Sequence, residues 1–163
     1  MNLRQELAAD IAAERFDVTK HGIYFPRQDA LASGEYFGRV NGGAWEKEGD
    51  NLIPIEGLAH LLNVALGTKA KPAGLYLALF SGATAPAANW GAASFAAVAS
   101  EIVRQTEGYT AATRPVWTPV NTNTGSIDNL ASVASLTIAT ASQLNVTGAA
   151  LLTSSTRGGT TGA

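Results

Sequence analysis

With 163 residues the chain suits one domain plus an accessory segment, since domains commonly run about 100–150 residues. Lys+Arg 11 against Asp+Glu 13 gives a formal charge of -2, which argues against a phosphate-tracking surface and so against nucleic acid as a partner. The absence of cysteine excludes disulfides, thiolate catalysis and Cys-based zinc sites, leaving packing or assembly to supply stability.

Residues 2–15, NLRQELAADIAAER, place Leu3, Leu7 and Ile11 at i, i+4 and i+8, with Ala beside them and charges opposite. This spacing predicts an amphipathic helix with a narrow apolar stripe. Isolated helices of that length are marginal in water, so it should dock on its own domain or on a partner. The next stretch, GIYFPRQDALASGEYFGRVNGGAWEKEGDN, carries Tyr24, Phe25, Tyr36, Phe37 and Trp45 among turn residues. Phe25-Pro26 forces extended backbone, and Asn41-Gly42 is a type I′ hairpin signal that predicts strands over 35–40 and 44–48. An isolated hairpin is barely stable, so this arm should add to a sheet or lie along another protein.

NLIPIEGLAHLLNVALG predicts the next helix. Pro54 suits its first turn, Glu56 its N-terminal dipole and Gly67 a left-handed C-terminal position. Leu58, Leu61, Leu62, Ala65 and Leu66 follow helical spacing and read as a core face; Lys69, Lys71 and Pro72 follow the end. LYLALFS then reads as a strand buried on both faces, and Trp90 with Phe95 should anchor a short helix over 92–99. EIVRQ, RPVWTPV, LASVASLTIA and LNVTGAALLT are further strand candidates, with Pro115 and Pro119 marking the Trp117 segment as an edge strand. The expected fold is α+β, mainly a β-sandwich or Greek-key-like domain over 51–163, preceded by an assembly arm over 1–50. Residues 144–153 read as a strand and 154–162 as the loop that turns it back. The returning strand is therefore expected from further sequence or from another chain.

Chemistry-bearing patterns are sparse. Glu56 and His60 share a helix face without a third ligand at metal-site spacing and read as a solvated pair, and His21 has no acidic neighbour to orient it. No serine sits in a Gly-x-Ser-x-Gly elbow. The acids of the second part, Glu101, Glu107 and Asp128, have no spacing that pairs them as in glycosidases. TRGGTTG lacks the Lys-Ser/Thr ending of a phosphate loop and reads as a flexible turn. No catalytic residue, metal or cofactor is expected, and no apolar run approaches the ~20 residues of a membrane span. Aromatics interspersed with arginines are typical of protein interfaces. The interface candidates are Leu3, Leu7, Ile11, Tyr24, Phe25, Arg27, Tyr36, Phe37, Arg39 and Trp45.

The succession GIYFPR, DNLIPIEGLAHLLNVALG, LYLALFSGATAP, FAAVASEIV, EGYTAATRPVWTP and GAALLTS resembles a family of tailed-bacteriophage virion proteins, the head decoration, cement or head-fibre proteins. The resemblance implies a structural protein on the capsid surface, made in the host cytoplasm, that binds and stabilises the major capsid protein shell. It also implies self-association, as a homotrimer or another homo-oligomer, and no catalysis. The alternative it leaves is a tail or head fibre module for host-surface glycan recognition, with Trp90 and Trp117 as exposed stacking platforms.

Overall fold

The computed structural model describes residues 16–18, 20–22, 24–26 and 32–162. The chain divides into two compact units, Met1–Asp50 and Asn51–Ala163. The helix expected over 2–15 lies outside the described residues.

In the first unit, β1 (Phe16–Val18) pairs antiparallel with β2 (Tyr24–Pro26), Val18 facing Tyr24. Strands β3 (Glu35–Gly38) and β4 (Glu46–Asp50) form the second antiparallel pair, with a bulge between Tyr36 and Phe37. Asn41 and Gly42 both take positive φ, 50° and 75°, and the Gly43 N–H donates to the Val40 carbonyl at 2.9 Å. This is the type I′ turn that Asn-Gly favours. The second strand starts two residues later than expected, because the chain from Gly43 to Trp45 completes the loop. Lys47 ties the pair together, 2.5 Å from Glu35 and 2.8 Å from Asp50.

The second unit mixes two helices with antiparallel sheets among its described residues. Helix α1 (Ile55–Ala65) follows Pro54. Strand β5 (Leu75–Phe80) is the middle of a three-stranded antiparallel sheet, flanked by β7 (Val116–Trp117) and β9 (Gly148–Leu152). Helix α2 (Ala92–Val98) and the pair β6 (Gly108–Tyr109) with β8 (Ile138–Ala139) complete the elements that position the sites described below. Strand β7 lies at the sheet edge, where prolines on either side remove no ladder donor.

The core is small. Ala78 and Phe80, two apart and hence on one face of β5, pack with Leu152 of β9, with Ala92 and Phe95 of α2 and with Ala99 that caps it. Phe80 meets Trp90 and Phe95 edge-to-face, with centroids 6.2 and 6.1 Å apart. Its ring lies over Gly148, its cross-strand partner, where a Cβ would collide with the ring edge. Helix α2 ends in a Schellman turn: Ser100 takes φ 54° and the Glu101 N–H donates to the Ala96 carbonyl at 3.0 Å.

Several expectations need correction. The leucine face of α1 is not core: no residue of α1 is buried, and Leu62 and Leu66 are 60% and 84% exposed. The reason is that α2 already closes the buried face of β5. Helix α1 is held by its first turn instead, where the Ile55 N–H donates to the Ala88 carbonyl at 2.9 Å and Glu56 accepts from the Ala92 N–H at 3.0 Å. Glu56 thus caps α2 rather than forming a solvated pair with His60. Gly67 is not left-handed; its N–H reaches back to Leu62, and a Cβ there would sit 2.8 Å from the Asn63 carbonyl oxygen. Strand β5 buries one face, while Leu75, Leu77 and Leu79 on the other are half-buried. EIVRQ contributes only a bridge from Glu101 to Phe80. LASVASLTIA splits into a 3-10 turn (Leu130–Ser132) and the two-residue β8.

Candidate interaction surfaces

Among the described residues, the one carboxylate buried with a basic partner is committed to structure. Glu101 receives two hydrogen bonds from Arg114, Nε to Oε1 and Nη2 to Oε2, each 2.7 Å, and a third from the Gly158 N–H at 2.9 Å. Arg114 Nη1 also donates to the Ser154 carbonyl at 2.9 Å. Both side chains are shielded from solvent, 1% and 0% exposed, so this planar two-bond pairing satisfies the charges that burial would otherwise penalise.

Arg157 extends the same cluster. Its guanidinium lies 3.8 Å from the Tyr109 ring centroid and donates to the carbonyls of Ile102, Arg104, Tyr109 and Ala111. The Arg157-Gly-Gly segment expected to be a flexible turn is therefore pinned from both sides, and Gly158 takes φ 68° to present its N–H to Glu101. The Tyr109 hydroxyl is buried without a partner, and burial pushes its phenol above the ordinary value. The other two acids are also engaged. Glu107 accepts from the Thr140 hydroxyl at 2.7 Å and the Ala141 N–H at 3.2 Å, bonds that hold its carboxyl below the usual range. Asp128 accepts from the Leu130 N–H at 2.8 Å. Among the described residues no three His, Asp or Glu side chains gather as metal ligands, and no helix is long and apolar enough to cross a membrane.

The second unit offers solvent a row of apolar side chains. Ile55, Leu58, Leu61, Leu62 and Leu66 are all exposed along α1. Beside them a cleft of about 520 Å³ opens between the second half of α1, the 71–75 segment and the edge strand β7. Leu61, Val64, Leu75, Trp117, Pro119 and Ile127 supply its apolar walls, with His60 and Lys71 among the polar lining. The His60 Nδ1 is buried with no hydrogen-bond partner.

The interface candidates read from the sequence fall on the first unit. Leu3, Leu7, Ile11 and Arg27 lie outside the described residues. Tyr24 and Phe25 belong to β2, with Phe25 facing Asp17. Tyr36 is half-buried, whereas Phe37 and Trp45 are 56% and 42% exposed. Arg39 stacks over the Trp45 indole at 4.6 Å, which braces the ring. Trp90 is half-buried and packs on the core through Phe80; Trp117 lines the cleft. Sequence reasoning found the helix α1 but missed that its leucine face is exposed, and missed the cleft, although one signal pointed to them: from Gly57 to Trp90 the chain holds no acidic residue while carrying a dense leucine stripe. Comparisons with protein-family models, curated proteins and solved structures find no match to the chain.

Proposed function

We propose that the chain is a bacteriophage virion structural protein, a decoration or cement protein that binds the outer surface of the major capsid protein shell and stabilises it by contact. The observation that carries this reading is α1, a helix whose leucine face meets no core. Apolar surface removed from water contributes about 25 cal/mol per Å² before the costs of association. A row of exposed leucines is thus an association surface, and modest contact repeated over many copies resists expansion of a shell. The sequence resemblance to decoration and head-fibre proteins supplies the partner. The β-sandwich belongs to the same proposal, with β5, β7 and β9 as one layer.

A second reading, a fibre module recognising host glycans, is favoured by Trp117, whose ring lines the cleft beside Lys71. The two are separated by co-sedimenting purified chain with shells that lack it. Decoration predicts saturable binding that Leu58→Asp/Leu62→Asp lowers, and Leu7→Glu/Ile11→Glu lowers if the 2–15 segment shares the contact. Absence of shell binding, with quenching of Trp117 by host polysaccharide, would replace the first reading with the second.

A further inference from the structure

We propose that the cleft between α1 and β7 receives the β3–β4 hairpin of a second copy of this chain. Charge and shape on the two surfaces are complementary. The cleft wall is apolar and no carboxylate lines it; Lys71 lines it, and Lys69 stands two residues before. Neither lysine has an ion-pair partner among the described residues. The hairpin is the opposite. It projects Phe37 and Trp45, and its residues 35–50 carry Glu35, Glu46, Glu48 and Asp50 against Arg39 and Lys47. Lys47 is neutralised by Glu35 and Asp50, which leaves Glu46 and Glu48, on the strand face opposite Lys47, exposed and without an ion-pair partner among the described residues.

The size fits as well. Clefts of about 300–1,000 Å³ bury drug-sized groups, so a cleft of about 520 Å³ accepts an aromatic side chain with its neighbours. Trp45 is the kind of residue that dominates interfaces, and the Arg39 stack reduces the freedom lost when it docks. Because the two surfaces differ, the contact is head-to-tail and closes into a ring or propagates, according to the rotation it imposes. The inference goes beyond the virion reading, since it requires no shell.

Two charge-reversed full-length variants test it by sedimentation velocity, with folding checked by circular dichroism. Glu46→Lys/Glu48→Lys makes the hairpin basic against a basic cleft. Lys69→Glu/Lys71→Glu makes the cleft acidic against an acidic hairpin. The native chain should associate with rising concentration, and each variant alone should need at least about tenfold more protein to do so, because like charges at an interface suppress pairing. The equimolar mixture should regain association in a 1:1 composition, since each hairpin then finds a cleft of opposite sign. A native chain that stays monomeric, variants that associate as the native chain does, or a mixture that remains dissociated would each overturn the proposal.

Discussion

Replacing Arg114 with Met removes the cation from beneath Glu101 and leaves most of the buried volume filled. Glu101 then keeps only the Gly158 N–H, and the Ser154 carbonyl loses its donor. Because both partners are shielded from solvent, the orphaned carboxylate is not rescued by water, and breaking such a pair costs about 3–5 kcal/mol. Domains of this size are stable by about 5–15 kcal/mol in all, so the loss is a large share of the total. Urea unfolding followed by tryptophan fluorescence should show a strongly lowered midpoint with unchanged slope, and thermal melting a drop of at least about 10 °C. The double variant Glu101→Leu/Arg114→Met should recover much of that loss, because removing both charges removes the desolvation penalty. A single variant within about 1 kcal/mol of native, or a double variant no better than the single, would refute the view that this pair locks the 101–114 segment to the C-terminal loop.

Tyr109→Phe keeps the ring under Arg157 and deletes a buried hydroxyl without a partner, so stability at neutral pH should hold or rise by up to about 1–2 kcal/mol in urea titrations. The same phenol is raised by burial, with Arg157 opposing. A proton held more tightly in the folded chain stabilises below the ordinary tyrosine pKa of about 10, and that contribution is lost as pH rises through the folded value. The native chain should therefore weaken above pH ~10 more than Tyr109→Phe does. Ser100→Gly relieves a left-handed residue at the end of α2 and should raise the urea midpoint by about 0.5–1 kcal/mol equivalent; a loss would show that the serine side chain matters more than its backbone. Leu62→Gln, on the outward face of α1, should leave stability within about 0.5 kcal/mol, whereas Leu152→Ala in the core should cost about 2–5 kcal/mol. Equal costs in chemical denaturation would mean that α1 is buried in solution.

Local signals were legible where the cause was local. Asn41-Gly42 specifies its own turn, Trp90 and Phe95 mark a short helix because only large rings anchor so small-residue a segment, and the prolines around Trp117 forecast an edge strand. The leucine spacing of α1 was equally clear, but periodicity says that one face is apolar and not what covers it. What decides the outcome is that α2 packs on Phe80, a non-local contact that spacing within α1 does not carry. The Glu101–Arg114 pair and the four carbonyls around Arg157 were illegible for a related reason. They converge from segments far apart in sequence, and no spacing announces them. Strands also came out shorter than their apolar runs: 144–153 yields only Gly148–Leu152, because pairing with β5 ends where β5 does.

The proposal that this chain coats a shell is tested most directly by asking whether it is a component of purified virions, with quantitative mass spectrometry reading its copies relative to the major capsid protein. Decoration predicts a copy number comparable to that of the shell protein. Absence from the particle would contradict the account, and a handful of copies would assign the chain to a fibre instead.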